Sequence, residues 1–277
     1  MSAMRLKFVA AQVTLGAFMS LSLNAQDFTL THNNSSAQIN ITNAGAGVLN
    51  WKVDGVNNLS DQRFFYRVGA SGPESLVQSI SSSPTVSFIQ IPNVLSKLDV
   101  TYANASFSVR TVFQLTGGTG ASGTSGLSET ITVKNLTGSI LDFHLFQYSD
   151  FDLYGLTGGQ TAQYSFDALG QPYKVSQTDG IRSVTEILNA STATIGHYDA
   201  ALAGVTLASL MDGSATVLGD SASAAGNPTF AYQWDAPLSP NGTLTISKLM
   251  NIVPEPTSAA LVLAGVSALF IRRRSVQ

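Results

Sequence analysis

Apolar and polar positions alternate along most of the chain, and the period is two. Ala37, Ile39 and Ile41 take turns with Gln38 and Asn40, and Phe107, Val109, Phe113 and Leu115 with Ser108, Arg110 and Gln114. Ile131 and Val133 alternate with Thr130, Thr132 and Lys134, and Leu244 and Ile246 with Thr245 and Ser247. Successive side chains of a strand point to opposite faces, so this pattern predicts strands with one face on a core and the other in water. Such strands are normally antiparallel. The glycine-rich run Thr116–Gly126 reads as a flexible loop between two of them, and Pro240-Asn241-Gly242 as the turn before the last. Helical periodicity is scarce, with one short candidate at Leu207–Met211 ended by Asp212-Gly213. The expected fold is all-β: an antiparallel β-sandwich, enlarged at about 225 residues and forming one domain.

The two ends break this pattern. The start combines Arg5 and Lys7, an apolar stretch from Phe8 to Leu23, and small residues before a cut placed after Ala25. Those are the three parts of a secretory signal, so residues 1–25 are expected to be a removable signal helix. Leu23 fits the position three before the cut poorly, which leaves a competing site near Ser20-Leu21-Ser22.

At the other end Pro254 and Pro256 bracket Glu255, an apolar run extends from Ser258 to Ile271, and Arg272, Arg273 and Arg274 stop it. Proline disfavours helix in the residue before it, so a hydrophobic helix can begin only after Pro256. A helix over that run would be about 21 Å long, short of a hydrocarbon core of about 30 Å. The arginines decide for a membrane over a core, because they can snorkel to a cytoplasmic lipid surface. The order Pro254-Glu255-Pro256, apolar helix, arginine cluster resembles the PEP-CTERM sorting signal of exported Gram-negative proteins. The resemblance covers about the last 25 residues. It implies that Pro254, Glu255 and Pro256 are the element recognised by exosortase, and that Arg272, Arg273 and Arg274 are the stop. An uncleaved anchor would use the same physics, and a lipid-anchor signal also ends in an apolar tail. The expected organisation is signal 1–25, sandwich body 26–252 and sorting tail 253–277.

Charge changes the picture by subtraction. Five of the 14 basic side chains and one of the 17 acidic ones, Glu255, sit in the two ends, which leaves 9 against 16 in the body, a net −7. Nucleic acid requires a basic stripe, so it is excluded as a partner. With no cysteine there are no disulfides, thiolate zinc sites or cysteine nucleophile.

Chemistry in the body is sparse. Asp142, His144, Phe146 and Tyr148 share one side of a strand that leads into Asp150 and Asp152, a candidate ligand groove of the kind that holds sugars. Asp150-Phe151-Asp152-Leu153-Tyr154-Gly155 also matches part of a calcium loop, with Tyr154 and Thr161 standing where ligands should be, so calcium is a weak candidate cofactor. His32, His144 and His197 show no metal spacing. Trp51, Trp234, Phe64, Phe65, Tyr66 and Tyr232 can stack on sugars but serve more often as core anchors. No Ser in a glycine-flanked loop fits G-x-S-x-G.

The expectation from sequence is a non-enzymatic surface or matrix protein. It would be handled by the export machinery, held briefly at the inner membrane, sorted by exosortase and associated with extracellular polysaccharide. The alternatives are a carbohydrate-binding module and a glycan-active hydrolase or lyase using two carboxylates.

Overall fold

The computed structural model describes residues 27–42 and 47–255. The signal segment 1–25, Pro256 and the run from Ser258 to Arg274 lie outside the described residues, and so do the two flanking helices expected there.

The strands follow in the order β1 (Asp27–His32), β2 (Ser35–Asn40), β3 (Val48–Val53), β4 (Val56–Asn57), β5 (Asp61–Val68) and β6 (Ser75–Leu76). Next come β7 (Thr85–Ile91), β8 (Leu95–Ala103), β9 (Phe107–Gly117), β10 (Ser125–Asn135), β11 (Leu141–Asp150) and β12 (Gln160–Phe166). The chain ends with β13 (Pro172–Thr178), β14 (Arg182–Ser191), β15 (His197–Leu202), β16 (Ser223–Gly226), β17 (Pro228–Leu238) and β18 (Thr243–Pro254). One short helix, α1 (Val205–Leu210), falls where the sequence placed it. The glycine-rich run is shorter as a loop than expected, because β9 continues to Gly117 and β10 begins at Ser125. At the C-terminal end β18 runs through Pro254, two residues past the expected boundary of the body.

The pairings are antiparallel and build two sheets. The first runs β1-β2-β3-β5-β11-β17-β15, with β4 on β3 and β6 on β5; the second runs β16-β12-β13-β14-β18-β10-β9-β8-β7. Their inner faces form the core, and the alternating residues of the sequence lie there: Ile39, Val109, Phe113, Ile131, Leu244 and Ile246 are all buried. The expected all-β sandwich is therefore the fold. The aromatic question is also settled, since Trp51, Tyr232 and Trp234 are wholly buried. The indole Nε1 of Trp51 donates to Ser125 Oγ across the sandwich at 3.0 Å. These rings are core anchors.

The same inner layer hides a polar row. Gln62 of β5 and Gln147 and Ser149 of β11 meet Glu129, Glu186 and Lys248 from the opposite sheet, all buried. Lys248 Nζ pairs with Glu129 and stands 3.3 Å from Glu186, while Gln147 Nε2 donates to Glu186 Oε2 at 2.8 Å. Two carboxylates against one ammonium leave a surplus charge in an apolar layer, and burial pushes Glu129 up to about 7 despite Lys248. Buried polar groups are tolerated only when paired, so this row ties the two sheets into one register.

Candidate functional site

The outer face of the first sheet carries the body's densest polar chemistry. On β11 the inward residues Phe143 and Leu145 force Asp142, His144, Phe146, Tyr148 and Asp150 toward the other side. Cross-strand register then decides their neighbours. His144 lies between Arg67 of β5 and Asp235 of β17, Phe146 between Phe65 and Gln233, Tyr148 between Arg63 and Ala231, and Asp150 between Asp61 and Thr229. The sequence placed Asp142, His144, Tyr148 and Asp150 on one face, and the structure brings them there. Asp152 lies past the end of the strand, before a single turn at Leu153–Gly155.

A covering segment divides this face. From β15 the chain passes through Gly204, at a φ of 82° that suits glycine, into α1 and on to Asp220. Leu210 and Leu218 of this strap bury against Phe65, Phe146, Tyr148 and Ala231, with Leu207 at the margin. An ion pair of Arg67 with Glu74 fastens it, both side chains being nearly inaccessible. Arg67 Nη1 donates to Thr216 O at 2.8 Å, and Thr216 N donates to Glu74 Oε1 at 2.9 Å. Leu218 N donates to Gln233 Oε1 at 3.1 Å.

One end of the face holds the acid–base chemistry. His144 Nδ1 is hydrogen-bonded to Asp235 Oδ1, and Gln233 Nε2 donates to the same oxygen at 2.9 Å. His144 Nε2 has no hydrogen-bond partner and lies 3.5 Å from Asp142 Oδ2. The imidazole is 12% exposed while the Asp142 side chain is 49% exposed, so a carboxylate at the surface faces a ring held from behind. If Nδ1 carries the proton toward Asp235, Nε2 is left as a buried acceptor behind the Asp142 carboxylate; with a second proton both nitrogens donate. Gly196 completes the arrangement, because a Cβ there would stand 2.2 Å from Asp235 Oδ2. Nearby, His197 Nδ1 meets Asp220 Oδ2 at 3.0 Å.

The other end is acidic. Burial pushes Asp61 up to about 6, against the pull of Arg63, whose Nε lies 2.6 Å from Asp61 Oδ2. Burial likewise pushes Asp150 up to about 6, helped by the charges of Asp152 and Asp61, and raises Asp152. Tyr148 is raised by its own burial. Among the described residues no group of three or more His, Cys, Asp or Glu side chains is placed to hold a metal ion.

Sequence reasoning missed Asp235, Gln233, Arg67, Glu74 and Asp61. The signal for two of them was present: Phe230, Tyr232 and Trp234 alternate in β17 and are buried inward, which turns Gln233 and Asp235 outward. His32 is remote from the site, accepting a hydrogen bond from Gly117 N at 3.1 Å. The expected sorting residues divide. Pro254 closes β18 and Glu255 follows it, whereas Pro256, Arg272, Arg273 and Arg274 lie outside the described residues. No helix among the described residues is long and apolar enough to cross a membrane.

The chain matches no protein-family model and no curated protein sequence. Its architecture is shared with solved structures. It superposes on a bacterial glucoamylase complexed with acarbose at a TM-score of 0.55 and 12% identity, over 87% of this chain and 35% of that one. The chain thus spans about a third of the glucoamylase. It also superposes on a galactose mutarotase-like protein from Clostridium acetobutylicum at 0.53 and 11% identity, over 83% of this chain and 96% of that one. At such identity the likeness is one of fold. It nevertheless corrects the expectation of a non-enzymatic protein: the same fold occurs in a glucoamylase, so the lack of a linear catalytic motif no longer argues against an enzyme.

Proposed function

We propose that the body is a carbohydrate-directed protein whose sugar site is the His144 end of the outer face of the first sheet. The observation that carries this reading is His144 fixed by Asp235 from behind with the exposed Asp142 beside its free nitrogen. Hydroxyls are recognised by side chains that donate and accept within one patch, and carboxylate, imidazole and the Gln233 amide supply both roles. The fold shared with two sugar-active or sugar-active-like proteins supports the choice of ligand. The test is calorimetric titration of the full chain with neutral mono- and oligosaccharides. Binding that falls at least tenfold in Asp235→Asn and Asp142→Ala is expected; no binding, or equal binding by these variants, overturns the reading.

A second reading follows from the same geometry. The exposed Asp142 carboxylate, backed by the buried imidazole nitrogen 3.5 Å behind it, can take a proton from a sugar oxygen and share it with His144, which is general base chemistry at a sugar hydroxyl. Polarimetry of freshly dissolved sugar anomers checks it. Faster equilibration with the protein that vanishes in His144→Ala is the expected outcome, and a rate equal to buffer alone refutes it.

We further propose that residues 1–25 direct export and that Pro254, Glu255, Pro256 and the arginines 272–274 form a sorting signal read by exosortase, delivering the body to the cell surface or extracellular polysaccharide. What supports this is the sequence pattern. Glu255 itself is still tied to the sheet, its N donating to Ile181 O at 2.7 Å. Fractionation of cells making the chain truncated after Glu255 tests it: the truncated protein should lose the full chain's destination, and an unchanged destination counts against the signal.

A further inference from the structure

The opposite outer face, that of the second sheet, holds a trough of about 390 Å³ where β9, β10 and β18 lie side by side. Its floor is Gly126, which register places between Thr116 of β9 and Asn251 of β18. The glycines beside it have close neighbours that require glycine. A Cβ on Gly117 would stand 2.0 Å from His32 O, and one on Gly118 would stand 2.1 Å from Thr124 Oγ1. Gly126 has none of comparable force: a Cβ there would meet Asn251 Oδ1 at 3.2 Å and Leu249 Cδ1 at 3.8 Å, and its backbone is ordinary strand. Glycine inside a strand weakens it and marks places where something else approaches the backbone.

The walls say what approaches. Gln114, Asn251, Ser128 and Thr116 offer amides and hydroxyls, Leu249 and Val253 offer apolar surface, and no ionisable side chain lines the trough. Among the described residues the amides of Gln114 and Asn251 make no hydrogen bond within the protein. β10 is paired on both sides, so the trough has no free backbone edge with which to bind an extended peptide by strand addition. A charged polymer would lose hydration with no counter-charge in return, and the body is itself acidic. A neutral polysaccharide fits: its hydroxyls match side chains that both donate and accept, and its C–H faces match Leu249 and Val253.

We propose that this trough is a second binding site, for a segment of neutral polysaccharide, on the face of the sandwich opposite His144. It stands whether or not the His144 site binds sugar. The test is electrophoresis of the native full chain through gels containing neutral glucan, galactan or mannan, with alginate as the acidic control. At least one neutral polymer should retard the protein, alginate should not, and on a His144→Ala background, which disables the other face, the apparent affinity should fall at least tenfold in Gly126→Val, which fills the trough, and in Asn251→Ala, which keeps the strand. His144→Ala should still be retarded. Asn251→Ala keeps the test decisive if Gly126→Val does not fold, as thermal melting would show. Absence of retardation by every neutral polymer, or retardation of the His144→Ala protein that survives the addition of Asn251→Ala and of a folded Gly126→Val, overturns the proposal. Loss of retardation in His144→Ala alone assigns the binding to the other face and overturns it as well.

Discussion

At the scale of single residues, the site depends on a carboxylate being where a ring nitrogen needs it. Asp235 occupies space that a side chain at position 196 would take, so Gly196→Ala should push the carboxylate off His144 Nδ1. Asp235 is part exposed and its displaced end can move toward water, so the fold should tolerate the change. The expected result is a thermal midpoint within a few degrees of wild type and sugar affinity reduced about tenfold, equivalent to about 1.4 kcal/mol. Calorimetry and melting on the same sample separate the two effects. Much of this neighbourhood was legible residue by residue. Alternation alone put Asp142, His144, Tyr148 and Asp150 on one face. It could not name Asp235, because the partner of His144 comes from 91 residues away and only the strand order β11-β17 brings the two together.

Among the elements, the strap from Gly204 to Asp220 is the part that sequence pattern did not reveal. Its helix was visible at Leu207–Met211, but six residues of helix do not say which surface they cover. The structure gives them a task, sealing Phe65, Phe146 and Tyr148 from water. Leu210→Ala should cost about 2 kcal/mol, the low end for a buried leucine, since this satellite cluster is small and can relax. Arg67→Ala should cost more, about 3–5 kcal/mol, because it leaves Glu74 buried without its cation. Urea unfolding measures both changes. Amide exchange should show Thr216 and Leu218 opening early in Arg67→Ala, since their bonds to Glu74 and Gln233 hold the strap down. The glycine-rich run 116–126 offers a related lesson. Composition suggested a loop throughout, yet pairing to neighbouring strands at both ends draws Thr116, Gly117, Ser125 and Gly126 into β9 and β10.

Over the whole molecule, stability should depend on pH through carboxylates that folding places in poor surroundings. Glu129, near 7, and Asp61 and Asp150, near 6, all have folded values above the ordinary range of 3.8 to 4.5. A group whose folded value is raised contributes its stability fully below the unfolded value and loses it as pH climbs through the folded one. The melting temperature should therefore fall from about pH 4 to about pH 7, with the aspartates acting in the lower part of that window. Glu129→Gln should flatten the upper part of the profile, because a neutral amide needs no proton. An unchanged slope would mean that the buried row of Lys248, Glu129 and Glu186 shares its charge differently. This row also marks where reading the sequence stopped. The period of two shows that Glu129 and Lys248 face the same way as Ile131 and Ile246, but which polar residues can be buried there depends on partners from the other sheet.

The sandwich itself was legible, and the proposed site was not, because it is assembled from β11 and β17 and no linear motif spans them. The most direct test of that site follows its histidine, one of three in the chain. In nitrogen NMR of the full chain titrated with neutral saccharides, the ring signals of His144 should shift with saturation. Signals from His144 that do not move at saturating sugar would contradict the account.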